Sequence, residues 1–238
     1  SERLRAWSFD RDPRGNADEH HHQKDNMLDE FTTPGEAQAL VGGLSNPGKM
    51  PGSGWSISAR NCKTGAKLRK IEGSVCSSCY ALKGRYGFDN VQNAQNRRQA
   101  RFERTGVAWI DLMVKSLERE TWFRWLDSGD LQSERMLKRI IKVCELTPHV
   151  RHWLPTREYR IVSKVLNQVT CPANLMIRLS AHMINEPGPE KLAKKYGLGT
   201  STVVTRGWTC PAKSQKNQCL DCRRCWDPGV INVSYPRH

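Results

Sequence analysis

Seven of the nine cysteines fall into two sets whose spacing is typical of metal ligands. The first set is Cys62, Cys76 and Cys79, and the second set is Cys210, Cys219, Cys222 and Cys225. Thiolates are strong ligands for iron–sulfur clusters and for zinc. Zinc sites more often pair two separated motifs, whereas consecutive gaps of two residues plus a remote cysteine are similar to the ligands of 4Fe–4S ferredoxins. The spacing therefore predicts one or two 4Fe–4S clusters, with zinc as the alternative.

A 4Fe–4S cluster takes four cysteine ligands, so seven cysteines are too many for one cluster. The second set is expected to form a closed cluster, and the first set either a second site or part of a shared one. Cys144 lies on the apolar side of a predicted helix and Cys171 precedes Pro172, so both are predicted to be structural. Two alternatives stay open: Cys171 as a fourth ligand of the first set, and buried, reduced thiols in both sets.

Asp127 and Asp130 are the candidate catalytic residues, in the segment Asp127-Ser128-Gly129-Asp130. They follow the second predicted strand, where α/β folds place ligand-binding loops. Two carboxylates there can hold a divalent metal, bind an amino group or act as a base, as in a nuclease or another hydrolase. The alternative is a turn that ends the strand and caps the next helix.

Four arginines on one predicted helix are the candidate nucleic-acid contacts: Arg97, Arg98, Arg101 and Arg104. Spacings of three and four residues put three of them on one face, with Tyr86 or Phe88 near enough to stack on a base. The formal net charge is +14, and cationic side chains that contact phosphates release counterions. We expect nucleic acid as the partner, with single-stranded DNA favoured. A solvated helix face on a merely basic protein is the alternative.

Short β-prone segments alternate with helical patterns along most of the chain. Strands are predicted over 55–59, 122–128, 150–156, 175–181, 201–206 and 229–235. Helices are predicted over 89–106, 108–120, 133–146 and 157–169. This alternation indicates an α/β fold with a mainly parallel sheet, either curved or formed into a partial (βα)6-type barrel. Both cysteine sets fall in irregular loops beside predicted strands.

The first 50 residues are polar and low in aliphatic side chains. They predict an N-terminal extension over 1–50, followed by a single α/β domain over 51–238. His20, His21 and His22 lie in this extension, where adjacent histidines are more often solvated than bound to metal. No apolar run has the length of a membrane span and no secretory signal is seen, so a cytoplasmic protein without a membrane partner is expected. The sequence indicates no oligomeric state.

Four of these segments together resemble the phage gene product 88 family. They are Cys76-Ser-Ser-Cys79-Tyr80-Ala81, Asp127-Ser128-Gly129-Asp130-Leu131, Thr209-Cys210-Pro211, and the run through Cys219, Cys222 and Cys225-Trp226. The resemblance covers roughly residues 53 to 226. One departure is Lys63, which stands where a proline would follow the first cysteine. The resemblance implies a phage-encoded iron–sulfur protein in the host cytoplasm.

More distantly, the layout is similar to that of radical S-adenosylmethionine (SAM) enzymes. Those enzymes place three cluster cysteines after the first strand and a Gly-Gly-Glu motif after the second. Here Ser128-Gly129-Asp130 lies after the second predicted strand, at the position of that Gly-Gly-Glu motif. The compact three-cysteine motif of those enzymes is absent. This similarity implies a radical-SAM-like fold, SAM as a cofactor, and an auxiliary cluster on the second set.

Three functions follow from these observations. The favoured one is a 4Fe–4S protein that binds or processes nucleic acid. The second is a radical-SAM-like enzyme with an auxiliary cluster. The third is an interaction module stapled by zinc.

Overall fold

A single sheet of six parallel strands organises the molecule. The computed structural model describes residues 33–237. The strands are β1 (Gly54–Trp55), β2 (Trp122–Trp125), β3 (Arg151–Thr156), β4 (Leu175–Ser180), β5 (Gly199–Val204) and β6 (Asn232–Pro236). They lie side by side in chain order, and each neighbouring pair is parallel. The predicted α/β fold with a parallel sheet is confirmed. The first and last strands do not pair, so the sheet is not closed into a barrel.

Helices connect most of the strands. In the described part of the chain they are α1 (Pro34–Leu40), α2 (Lys63–Leu68), α3 (Asp89–Arg104), α4 (Trp109–Ser116), α5 (Glu134–Leu146), α6 (Tyr159–Leu166) and α7 (Glu190–Lys195). The four predicted helices correspond to α3 to α6. The helices α1, α2 and α7 were not predicted, because six or seven residues are too few for a clear helical period.

Helix α5 shows how the sequence determines an element. The Ser133 side chain accepts a hydrogen bond from the Met136 amide at 3.1 Å, which caps the helix. Its apolar side chains at helical spacing, among them Leu137 and Ile140, are fully buried. They pack between α4 and α6 and against the sheet. These buried apolar side chains of α5 thus determine which side of the sheet the helices cover.

The two faces of the sheet have different roles. Successive side chains of a strand point to opposite faces. On β2, Phe123 and Trp125 belong to the large core shared with the helices, while Trp122 and Arg124 point the other way. On that opposite face, Trp153 packs with Trp226 and with Cys225 from the C-terminal loop. The second cysteine set is therefore part of what covers this face.

The described part of the predicted extension contains α1, which packs on α4. The Thr33 side chain and Glu36 form a capping box at its start. Ala37 and Val41 are fully buried in the main core. Residues 1–32, with His20, His21 and His22, lie outside the described residues. Within residues 33–237 every helix is too short or too polar to cross a lipid bilayer.

Candidate metal centre

A cavity of about 380 Å³ opens at the carboxyl ends of the parallel strands. Its walls come from the loops after β1 to β5 and from the end of β6, which is where parallel sheets form binding sites. Six of the seven predicted ligands border it: Cys62, Cys76, Cys79, Cys210, Cys219 and Cys225. Cys222 lies in an adjoining cleft with the other three members of the second set. The fold thus brings two distant cysteine sets to one place.

The first set is carried by α2 and the loop that follows it. Cys62 is the residue before α2, and the helix start is tied to the end of β3 because the Thr64 amide donates to a Glu158 carboxylate oxygen at 2.8 Å. The Val75 amide donates to the His182 carbonyl oxygen at 2.9 Å and holds the loop of Cys76. The loops after β1, β3 and β4 therefore converge on this set.

Gly65 leaves room beside two sulfurs of the first set. A Cβ atom at this position would stand 3.7 Å from Cys62 Sγ and 3.6 Å from Cys76 Sγ. Burial, then the Asp130 carboxylate, raises the pKa of the Cys62 thiol to about 12, and burial also raises the pKa of Cys76. Both thiols are therefore protonated at neutral pH and would lose their protons on binding a metal.

The second set lies in a loop whose backbone is held from several sides. The Cys210 amide donates to the Ser234 carbonyl oxygen at 3.0 Å, and the Cys219 amide donates to the Lys49 carbonyl oxygen at 2.8 Å. Cys225 Sγ lies 3.1 Å from the Tyr235 hydroxyl. Burial raises the pKa of the Cys225 thiol to about 11, although the Tyr235 hydrogen bond works against this shift.

Arg178 is the main support of this loop. Its guanidinium is fully buried under the loop and donates to five carbonyl oxygens. The acceptors are those of Cys225 at 3.0 Å, Thr200 at 3.3 Å, Val230 at 2.8 Å, Arg224 at 2.6 Å and Asp227 at 2.9 Å. The charge is thus solvated by carbonyl groups, and these hydrogen bonds fix the path of the chain on both sides of Cys225.

The donor set suits a cluster in its chemistry, because soft thiols surround the cavity in two groups. Within residues 33–237, no three His, Cys, Asp or Glu side chains are grouped closely enough to hold a single metal ion.

Asp130 connects the ends of β2 and β3. Its carboxylate accepts hydrogen bonds from the Thr156 hydroxyl at 2.6 Å and from the amides of Arg157 at 3.0 Å and Leu131 at 2.8 Å. Burial raises the pKa of Asp130 to about 6, although these hydrogen bonds work in the opposite direction. These three hydrogen bonds hold the ends of β2 and β3 together at the cavity wall.

Asp127 differs from Asp130 in having one carboxylate oxygen without a hydrogen-bond partner in the described residues. Its Oδ2 accepts a hydrogen bond from the Tyr86 hydroxyl at 2.8 Å, and its carbonyl oxygen accepts one from the Tyr80 hydroxyl at 2.6 Å. Its Oδ1 is buried at the cavity and has no partner in the described residues. Gly129 makes this turn close-packed, since its φ is +78° and an added Cβ would stand 2.4 Å from an Ile57 side-chain carbon.

Comparison with known proteins agrees with the order of these motifs. Residues 18–228 match the family model described as Gene product 88. The chain belongs to the gene product 88 family. The predicted resemblance is confirmed, and the match spans both cysteine sets and the Asp127 turn. No curated protein matches the chain, and no solved structure does.

The four arginines of this gene product 88 chain differ in their surroundings. Arg97, Arg101 and Arg104 are exposed on α3, and none of the four borders the cavity. Arg98 is buried, and it donates to the Gly43 carbonyl oxygen at 2.8 Å. Its guanidinium therefore joins α3 to the segment after α1 and presents no charge at the surface.

Cys144 and Cys171 lie with the main core, as predicted. Cys144 is fully buried, and Cys171 donates to the Leu175 carbonyl oxygen at 3.5 Å. Neither borders the cavity. The structure places Cys171 away from the lining that holds the first set.

Arg124, Arg178 and Tyr235 are site residues that the sequence reading did not single out. Arg124 stands between tryptophans in the strand segment 122–125, and Arg178 interrupts the apolar strand segment 175–180. A charged side chain inside a short apolar strand is the signal that was available for both. Tyr235 carried no such signal, because aromatic residues are common in strands.

Proposed function

We propose that this gene product 88 chain is a phage-encoded iron–sulfur protein whose cluster or clusters are held by the two cysteine sets. The observation that carries the proposal is that six of the seven cysteines border one cavity, although they lie far apart in the sequence. Gly65 leaves room beside Cys62 and Cys76, and Arg178 holds the loop of Cys225. The chain thus supplies donors, space and a rigid support.

The charges at the cavity support the same proposal. Its lining includes the cations Lys49, Arg69, Arg124, Arg157 and Arg237, against the carboxylates of Asp127 and Asp130. Thiolates bound to a cluster are negatively charged, so nearby cations offset their charge. Part of the excess of positive side chains here would offset the charge of such ligands.

The layout favours an enzyme of the radical-SAM-like class. The first cysteine set follows β1 and Ser128-Gly129-Asp130 follows β2, in a sheet of six parallel strands in chain order. A cluster with one open iron supplies one-electron transfer to SAM when bound. In this assignment Asp127 Oδ1 accepts a hydrogen bond from an amino or hydroxyl group of a ligand, while Asp130 holds the adjoining strand ends together. The second set holds an auxiliary cluster.

Anaerobic reconstitution with iron and sulfide, followed by dithionite and SAM, tests the reaction class. The expected product is 5′-deoxyadenosine, formed by the wild-type chain and not by a variant with Cys62, Cys76 and Cys79 changed to alanine. If a reducible cluster is present and no 5′-deoxyadenosine forms, the radical-SAM-like assignment is wrong.

Binding of nucleic acid is the second function, favoured by one surface feature. Arg97, Arg101 and Arg104 are exposed along α3, and Phe88, just before the helix, is 59% exposed. Arginines can follow a phosphate backbone while an exposed aromatic ring stacks on a base. Single-stranded DNA is the favoured partner because only unstacked bases reach such a ring.

Anisotropy titrations against single-stranded and duplex DNA test this second function. Changing the three exposed arginines to glutamine is expected to weaken binding. The slope of log K against log salt concentration should also become less steep, by about 0.7 for each lost phosphate contact. A variant with Lys191, Lys194 and Lys195 of α7 changed to glutamine is the control with the same change of charge. Equal losses in both variants, or no salt-sensitive binding by the wild type, would contradict the proposal.

A further inference from the structure

Unpaired polar atoms are concentrated at the cavity. Eight buried side-chain nitrogen or oxygen atoms have no hydrogen-bond partner within the described residues. Four of these atoms belong to residues that border the cavity: Arg124 Nε, Asp127 Oδ1, Ser128 Oγ and Trp153 Nε1. Buried polar groups are normally satisfied, so several together in one cavity indicate a bound polar molecule.

Arg124 is the cation among these groups. It projects from β2, and its guanidinium carbon lies 4.3 Å from the centre of the Trp153 ring. Its Nη1 lies 3.5 Å from Met50 Sδ, which is a weak acceptor. The ion pairs found within residues 33–237 do not include Arg124. Tyr80 hydrogen-bonds to the guanidinium, and Asp127 lies near enough to act on its charge. The side chain is thus held in place by an aromatic ring and by Tyr80, while its Nε has no partner within the described residues.

Asp127 and Ser128 supply two more of these unpaired atoms. They are only 6% and 2% exposed. The Asp127 carboxylate can accept a hydrogen bond at Oδ1, and the Ser128 hydroxyl can donate or accept one. The cavity therefore offers a cation at one point and an acceptor at another, which suits a ligand with an acidic group and a hydroxyl or amino group.

The charge balance favours phosphate over carboxylate. The lining holds five Lys and Arg side chains and two Asp side chains, so a doubly charged anion matches it better than a singly charged one. Guanidinium groups bind phosphate through two parallel hydrogen bonds. A volume of about 380 Å³ lies within the range of small-molecule sites.

We propose that the cavity binds a small phosphate monoester, with its phosphate on Arg124 and its hydroxyl or amino groups on Asp127 and Ser128. A phosphate monoester would then be the substrate class of the iron–sulfur enzyme proposed above, and this part of the inference rests on that proposed function. The binding residues themselves are not cysteines. Binding is therefore measurable separately from cluster content.

Calorimetric titrations of the anaerobically purified protein test this inference. The probes are inorganic phosphate, a deoxynucleoside 5′-monophosphate and acetate, all at one ionic strength. We expect the monophosphate to bind more tightly than inorganic phosphate, and acetate to bind at least tenfold more weakly than either. Equal binding of acetate and phosphate, or no binding of either phosphate probe, would overturn the proposal.

Variants locate the site. Arg124→Met is expected to weaken binding of the monophosphate at least tenfold, and Arg124→Lys by a smaller factor because lysine lacks the fork. Arg119→Met, at an exposed position between α4 and β2 that does not border the cavity, is the control and is expected to leave affinity unchanged. Unchanged affinity in folded Arg124→Met would refute the assignment. If Arg124→Met does not fold, Arg124→Lys is measured instead, and unchanged affinity in that variant would refute the assignment.

Iron and sulfide are assayed on the same samples. A sample with clusters that binds no phosphate probe would overturn the phosphate site and leave the iron–sulfur proposal standing. An iron-free sample that binds the monophosphate through Arg124 would overturn the iron–sulfur proposal and leave the phosphate site standing.

Discussion

Arg178 Nε donates a hydrogen bond to the carbonyl oxygen of Cys225 at 3.0 Å, which links the middle of the sheet to the last cysteine of the second set. Four further carbonyl oxygens accept from the same guanidinium. A buried cation without a carboxylate partner is costly unless hydrogen bonds solvate it. The loop around Cys225 and the charge of Arg178 therefore depend on each other.

Arg178→Lys should lower the free energy of unfolding by about 3 kcal/mol, because a lysine cannot reach five carbonyl groups and leaves buried acceptors unpaired. The same change should reduce the iron content of the protein. Thermal or denaturant unfolding and an iron assay measure the two effects. Arg206→Lys is the control, since Arg206 is exposed beyond the end of β5. Wild-type stability in Arg178→Lys would show that the loop does not need this support.

Gly65→Ala should reduce iron binding with little effect on the fold. The added methyl group would stand 3.0 Å from Cys62 Cβ, 3.6 Å from Cys76 Sγ and 3.7 Å from Cys62 Sγ, so the Cys62 side chain must shift to make room. Alanine in a helix is favoured over glycine by about 1 kcal/mol, which offsets part of that cost. Iron content and melting temperature are the measurements. Gly35→Ala in α1 is the matched control, because nothing lies within 4 Å of its added Cβ. Equal iron in the two variants would exclude this space from the metal site.

His152 should make the protein less stable in acid. Burial, with a smaller effect of His149, lowers the pKa of its imidazole to about 3, whereas an unfolded histidine titrates near 6.5. As the pH falls from about 6.5 toward 3, the unfolded chain binds a proton that the folded chain does not. The free energy of unfolding then falls by about 1.4 kcal/mol per pH unit from this group.

His152→Gln measures that contribution. Between pH 7 and pH 5, the loss of stability should be about 2 kcal/mol smaller in the variant than in the wild type. Asn93→Ala, at an exposed position of α3 without an ionisable group, should keep the wild-type pH dependence. Parallel stability curves for wild type and His152→Gln would refute the assignment of this titration.

Asp127 and Asp130 should respond differently to the same substitution. Asp130→Asn replaces an acceptor of the Arg157 amide with a donor, so it should cost about 2 kcal/mol of unfolding free energy. Asp127→Asn removes the negative charge beside buried Arg124 but keeps an acceptor for the Tyr86 hydroxyl, so it should cost less, about 1 kcal/mol, and should weaken ligand-dependent turnover at least about tenfold. Denaturant unfolding and the 5′-deoxyadenosine assay separate the two effects. The opposite pattern would reverse the roles assigned to the two carboxylates.

The sequence predicted all six strands and the four longer helices, because apolar periodicity over such lengths is a strong signal. It also predicted the seven cysteines of the two sets as ligands, and six of them border the cavity. It could not show that Cys62 and Cys219 border one cavity, since this depends on how the loops pack at the strand ends. Arg98 shows the same limit, because its place on a helix face indicated a surface charge and the fold buries it.

The iron, sulfide and zinc content of protein purified without oxygen shows whether the two cysteine sets hold a cluster, when wild type is compared with variants lacking either set. Iron and acid-labile sulfide are expected in the wild type, with less of both when either set is changed to alanine. A colourless wild-type protein that contains zinc alone, or no metal at all, would contradict the iron–sulfur proposal.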